Sequence, residues 1–149
     1  MQNKTKKQNS IQKFRKLCRD SGLKFTQQRF EIFNELIIST VHPDAMIIFK
    51  NIRKKIPSIS FDTVYRTLRT FEEKGIIKLI GVWGDKQRFD GNNEKHHHFI
   101  CLACGKILDI NDNEIDNLVI PREVYKVGYP KYIHVEIRGI CSDCNCKSK

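Results

Sequence analysis

Four of the six cysteines fall in two Cys-x-x-Cys pairs, Cys101/Cys104 and Cys141/Cys144. Each pair closes a small chelate loop around one edge of a tetrahedron, so together they supply the four thiolates that Zn²⁺ binds. Gly105, just after the first pair, suits a knuckle turn in which backbone amides approach the sulfurs. Immediately before that pair lie His96 and His98, two residues apart and so on one face of an extended segment. The zinc does not need them. Two metal sites with different jobs are therefore expected: a four-cysteine staple and a second site built on histidine. Candidates to complete the second are Asp109 on the facing strand, Asp90, and His42. A lone His before Pro is ordinarily a packing or capping residue, and a lone Asp in a polar stretch is ordinarily a turn residue. His97 points to the other strand face and is left out. Cys146 lies close enough to compete as a ligand or to oxidise, while Cys18 reads as a buried apolar residue.

The elements that must position these groups divide the chain. Residues 1–10 read as a basic arm. Ile11, Phe14, Leu17 and Cys18 have helical spacing, and Gly22 can close that helix. Thr26 suits the N-cap of a second helix whose buried stripe is Phe30, Ile32, Phe33, Leu36 and Ile37. Asp44 can cap a third, which Pro57 ends, and Ser60 a fourth running to Lys74 with Gly75 beyond it. In that fourth helix Val64, Leu68 and Phe71 face the core, leaving Asp62, Thr63, Tyr65, Arg66, Arg69 and Thr70 over the remaining surface. A strand over Ile76–Ile80, a turn over Gly81–Lys86 and a return strand over Gln87–Asp90 complete a winged helix-turn-helix over 11–90.

The fourth helix would lie in the major groove of double-stranded DNA. Tyr65 and Arg66 are the leading base contacts, since Arg bonds guanine bidentately and Tyr touches a thymine methyl. Lys and Arg at 4, 6, 7, 13, 15 and 16 would add phosphate contacts. The plain alternative is that Arg66 and Arg69 only solubilise a surface helix. Gly91–Lys95 is polar and reads as a hinge. Residues 96–149 read as a strand (96–102), the knuckle, a strand (106–110), a helix near Asn113–Ile120 interrupted by Pro121, and a strand (Tyr132–Ile140) delivering the second cysteine pair.

Charge follows the same division. Residues 1–85 hold 17 Lys/Arg against 8 Asp/Glu, whereas residues 86–149 hold 10 against 9, for a net +10 overall. A basic half joined to a near-neutral half rich in metal ligands suggests a polyanion binder coupled to a sensor. No stretch approaches the ~20 apolar residues of a membrane span. Six cysteines without a secretory segment argue for a reducing cytosol rather than a disulfide framework.

Two runs carry a family resemblance. Thr63-Val64-Tyr65-Arg66-Thr67-Leu68, with Phe71 and Glu72–Gly75 after it, resembles the recognition helix of the ferric uptake regulator (Fur) family. His96-His97-His98-Phe99-Ile100-Cys101-Leu102-Ala103-Cys104-Gly105 resembles that family's metal-binding signature. The resemblance runs from about Gly22 to Cys144. It implies an α+β protein: an N-terminal winged helix-turn-helix followed by a C-terminal α/β dimerisation domain with a four-cysteine zinc site. It further implies a cytoplasmic, homodimeric, metal-dependent repressor that binds operator DNA and no membrane. His42, Asp90, His96, His98 and Asp109 each match a position of the family's regulatory site for Fe²⁺ or Mn²⁺. Arg29 matches a Thr-x-x-Arg stretch that begins at Thr26 and belongs to the DNA-binding side. Asp at both 90 and 109, where iron-uptake members typically carry Glu, is similar to the peroxide-sensing (PerR) branch. Lys95 and His97 stand where a further site of many iron-uptake members wants His and Asp, so that site is not expected.

On this reading the protein represses peroxide-stress genes and leaves DNA when metal-catalysed oxidation modifies His42 or His96. The alternatives are an iron-responsive repressor of iron-uptake genes and a zinc-stapled DNA-binding module without sensing. A zinc hydrolase or deaminase is the alternative from another class. The deaminase pattern is absent, because Ile100 precedes Cys101 where Pro is needed and His98 stands where a Glu should follow His96. No enzyme is expected.

Overall fold

Helix α1 (Gln2–Ser21) begins at Gln2 rather than at Ile11, so residues 2–10, which read as an arm, form its first turns. Those turns carry Lys, Gln and Asn but no Gly or Pro, so nothing stops the helix, and they lack the apolar period that announces one. The computed structural model describes residues 2–39, 41–83 and 86–146, the side chains of 2–7, 82 and 83 excepted. The phosphate contacts expected of Lys4, Lys6 and Lys7 thus lie outside the described side chains. The chain forms two units, Met1–Asn93 and Glu94–Lys149.

In the first unit the second, third and fourth helices each start where a polar side chain satisfies a free backbone N–H. The Thr26 hydroxyl accepts from Arg29 N at 3.3 Å to open α2 (Gln27–Ile38). Asp44 Oδ1 accepts from Ile47 N at 2.8 Å to open α3 (Ala45–Lys55). Ser60 Oγ accepts from Thr63 N at 3.1 Å to open α4 (Phe61–Glu73), and Gly75 just past its end has φ +67°. The buried stripes of these helices meet around Phe14, whose ring lies 4.8 Å from that of Phe33 and 5.6 Å from that of Phe71. Cys18 packs into the same core, and burial pushes its thiol pKa up.

Strands β1 (Lys78–Trp83) and β2 (Lys86–Asp90) pair antiparallel, with a register shift between Leu79 and Val82. Gly81, at φ +97°, takes up that shift, so β1 continues into residues that the sequence reads as a turn; Gly84 and Asp85 of that turn lie outside the described residues. A single bridge between Asp44 and Arg88, with Phe89 N donating to Pro43 O at 3.2 Å, ties the α2–α3 connection onto β2. Gly91 closes the unit against α2, where a Cβ would sit 3.2 Å from Ile37 N.

The second unit is built on a three-stranded sheet of order β4-β3-β5. Strand β3 (His97–Cys101) pairs antiparallel with β4 (Ile107–Ile110) and parallel with β5 (Glu136–Gly139). Short helices α5 (Asn113–Asp116), α6 (Arg122–Val127) and α7 (Ser142–Asn145) connect and close it. The expected helix over 113–120 stops at Asp116, and Pro121 opens α6, which the sequence did not announce. Proline at a helix start loses no bonded N–H, so it begins this helix rather than interrupting one. The expected strand over 132–140 is ordered as β5 only from Glu136.

Because Phe14 joins α1 to both α2 and α4, Phe14→Ala should destabilise the protein by about 3–5 kcal/mol. Chemical denaturation followed by far-UV circular dichroism checks this.

Candidate metal centres and nucleic-acid interface

The four sulfurs of Cys101, Cys104, Cys141 and Cys144 lie within 4.8 Å of one another. Cys101 ends β3, and the chain returns into β4 through a knuckle. Gly105 N donates to Cys101 O at 2.9 Å, with Gly105 itself at φ +70°, and Cys101 N donates to Lys106 O at 2.9 Å. β5 runs parallel to β3 and ends beside it, which delivers Cys141 to the same place. Lys106 Nζ pairs with Asp143 at 3.0 Å across the cluster's outer side.

The backbone also prepares the sulfurs for ionisation. Cys141 N points at Cys101 Sγ from 3.3 Å. That bond, with the N–H of Cys104 next in weight, lowers the Cys101 thiol from 9.0 to about 6. Cys144 is pushed up to about 12, chiefly because its proton is shared with the Cys104 sulfur and then with that of Cys141. The first proton leaves easily, and a later one is held by the neighbouring sulfurs that accept it. A divalent cation would take the place of that shared proton, so the donor set fits Zn²⁺.

The second cluster grows from the register of the same sheet. His98 pairs directly with Asp109 across β3 and β4. Its Nε2 lies 3.6 Å from Asp109 Oδ1 and 3.0 Å from His96 Nε2, while His96 Nε2 lies 3.8 Å from the same carboxylate oxygen. Ligand bonds of about 2.1 Å at right angles put donors about 3 Å apart, so these three side chains already approximate one face of a coordination shell.

Of the remaining expected ligands, His42 and Asp90 belong to the first unit. His42 Nδ1 lies 3.8 Å from Asp90 Oδ1, and both side chains are buried. His42 is also the one non-glycine residue at positive φ among those described, at +43°. Arg88 holds its carbonyl, donating from Nη1 at 3.3 Å. The first unit thus contributes a His/Asp pair and the second a His/His/Asp triplet.

His97, set aside in the sequence, is fully buried with a structural task. Its Nδ1 accepts from Val135 N at 3.0 Å, so its Nε2 carries the proton and donates to Asp116 Oδ1 at 3.2 Å. Lys95 Nζ lies 3.3 Å from the same carboxylate oxygen. A tethered ammonium and a hydrogen-bonded imidazole therefore serve Asp116. His134 was missed: its Nε2 lies 3.3 Å from His98 Nδ1, and burial, then His98 beside it, lowers its pKa. A single His near the start of a short strand offers no spacing signal that could have found it.

Four of the five expected DNA-binding residues, Thr63, Tyr65, Arg66 and Arg69, lie on α4. Arg66 and Arg69 are exposed, each opposite an acid one turn away: Asp62 at 3.8 Å and Glu73 at 3.6 Å. Such surface pairs contribute little and yield readily to a competing anion. Thr63 Oγ1 shares a hydrogen bond with Ser60 Oγ at 2.8 Å, so it sits at the helix N-terminus. Tyr65 is half-buried and stacked on Phe61, with centroids 6.1 Å apart. Arg29 lies apart from α4 in sequence, on the first turn of α2, and donates to Lys24 O at 2.7 Å.

A winged helix, a four-thiol cluster and a His/Asp cluster on one chain define a metal-responsive regulator. Residues 20–137 match the ferric uptake regulator family, and the chain belongs to it. Members of that family are transcriptional regulators. The peroxide-responsive repressor PerR of Staphylococcus aureus strain Mu50 is 36% identical over 132 residues, covering 87% of each chain. The peroxide operon regulator of Bacillus subtilis strain 168 is 35% identical over 132 residues, covering 87% of this chain and 89% of its own. The structure of the ferric uptake regulator Fur of Helicobacter pylori, described as revealing three functional metal-binding sites, superposes with a TM-score of 0.72 at 28% identity over 93% of each chain.

Cys101→Ser and Cys141→Ser should each abolish the roughly one equivalent of zinc expected per chain. Both should lower the melting temperature, whereas Cys146→Ser should change neither. Metal analysis of the purified variants, paired with thermal melts, reads this out.

Proposed function

We propose that the protein is a homodimeric, metal-dependent repressor of peroxide-stress genes in the cytoplasm. The observation that carries this reading is that each unit gathers part of a metal-ligand set: a His/Asp pair in the first and a His/His/Asp triplet in the second. Neither the His42/Asp90 pair nor the His96/His98/Asp109 triplet completes the shell of a divalent ion by itself. Together they give three imidazoles and two carboxylates, a borderline N/O set suited to Fe²⁺ or Mn²⁺, with Zn²⁺ held separately by the thiols. The carboxylates offset the ion's charge.

An ion shared by both sets would fix the angle between the DNA-binding unit and the second unit through the Gly91–Lys95 segment. In a dimer it would thereby set the spacing of two α4 helices, and only one spacing matches successive major grooves. Metal and DNA are then reciprocally coupled ligands. Arg66 and Tyr65 would face base edges, with Arg29, Thr63 and Arg69 at the backbone. Dimerisation is supported by the second unit's surface, where Val119, Val127 and Tyr129 are each 89% exposed and β5 is a sheet edge.

Peroxide sensing is supported by the carboxylates at 90 and 109, both Asp, and by the two PerR-type relatives. When bound, ferrous iron would supply the electron that splits the peroxide O–O bond, leaving an oxidant beside the imidazoles. His42 or His96, once carrying an added oxygen, would no longer offer its nitrogen, and the angle between the units would be released.

The test uses a genomic double-stranded fragment selected by the Mn²⁺-loaded protein. Peroxide should abolish the gel shift of the Fe²⁺-loaded form, with one oxygen added to the His42 or His96 peptide by mass spectrometry, and should spare the Mn²⁺ form. An Fe²⁺ form that keeps its affinity and gains no oxygen would establish the iron-responsive reading instead. His42→Ala and Asp109→Ala should lose at least about tenfold of the metal-induced affinity, a factor within the usual range of allosteric coupling. If their DNA binding is as tight as wild type and indifferent to metal, the protein is a stapled DNA-binding module without sensing.

A further inference from the structure

An imidazole ligates metal through one nitrogen and is aimed by whatever its other nitrogen touches. In the second cluster both histidines turn Nε2 toward Asp109. His96 Nδ1 lies 2.8 Å from Glu94 O, a carbonyl that can only accept. The proton is therefore on Nδ1, which makes Nε2 the ligating nitrogen of His96.

The Nδ1 of His98 faces His134 Nε2 at 3.3 Å, with the rings 5.1 Å apart and inclined by 55°. One of these nitrogens donates and the other accepts. If His98 is to present a lone pair from Nε2, its own proton must sit on Nδ1. His134 must then accept at Nε2 and keep its proton on Nδ1. Neutral imidazole in water prefers the opposite arrangement, with the proton on Nε2, so His98 needs an acceptor to hold it in the ligating form.

The backbone places that acceptor. His98 N donates to Val135 O at 3.2 Å, Val135 N donates to His97 Nδ1 at 3.0 Å, and His98 pairs with Glu136 across β3 and β5. This lacing brings residue 134 alongside the His98 ring. We infer that His134 is a positioning residue for the second metal centre: its Nε2 fixes His98 as the Nδ1–H tautomer and so aims the Nε2 lone pair at the ion. This rests on the reading of His98 as a ligand, and the test separates the two.

The full-length, zinc-containing protein is titrated with Mn²⁺, and free Mn²⁺ is read by electron paramagnetic resonance. His134→Leu should weaken Mn²⁺ binding about 10- to 100-fold, the usual effect of losing an orienting partner. His134→Gln, whose terminal amide oxygen can take the place of Nε2, should stay within about threefold of wild type on the same grounds. His98→Ala should lose more than His134→Leu. Wild-type affinity in His134→Leu would overturn the proposal, as would equal losses in the Leu and Gln variants, which would mark a packing role. Wild-type affinity in His98→Ala would instead remove the ligand reading, and the proposal with it.

Discussion

The register of β3 against β4 is the constraint on which the second unit depends. In five residues β3 carries His98 opposite Asp109 and ends on Cys101. A slip of one residue would turn each of these side chains to the other face, so both clusters would be lost together. Several contacts pin the register from different sides. The knuckle closes on Cys101 through the Lys106 carbonyl, and Leu102 N reaches Gly139 O at 2.7 Å at the end of β5. At the other end, buried His97 bonds both Asp116 and Val135. A strand this short gains little from its own ladder, so these anchors supply the fixing that length gives elsewhere.

The two clusters differ in what they ask of the protein. The thiols are a closed four-donor set whose ionisation is already begun at Cys101 by backbone N–H groups, while Cys144 holds its proton. Metal binding there expels protons and ties β3 to the segment after β5, so its free energy adds directly to folding. The imidazole and carboxylate set is harder, and Asp109 is 38% exposed. On the proposed reading, a staple that must not exchange and a sensor that must are thus separated by donor chemistry while sharing one strand.

The first unit stores strain at the residue it would contribute to the proposed sensor. His42 sits at φ +43°, a conformation that costs a non-glycine residue on the order of 1–3 kcal/mol. The surroundings over-determine it: Arg88 holds its carbonyl, and the next two residues are laced onto β2 by Phe89 N and the Asp44–Arg88 bridge. β2 is also a strand of the wing. The loop that carries His42 is therefore built into the wing, and on the proposed reading a change at His42 would reach a DNA-facing element without any further relay.

Much of this was legible in the sequence because the signals were local. Thr26, Asp44 and Ser60 each precede an apolar period and each caps the helix expected. The cysteine pairs and the i, i+2 histidines state their chemistry by spacing alone. What escaped was either featureless or long-range. The first turns of α1 have no apolar period, α6 starts on a proline that read as a break, and β5 is too short for alternation to define its start. His134 shows the limit most clearly. Its partner lies 36 residues away and is reached only through the parallel pairing of β5 with β3. A motif names the groups that touch a metal, because those must recur at fixed spacing. The groups that decide which nitrogen does the touching answer only to the fold. In this chain one of the two orienting partners is a main-chain carbonyl, which no sequence can show, and the other is a histidine whose role appears only once the strands are in register.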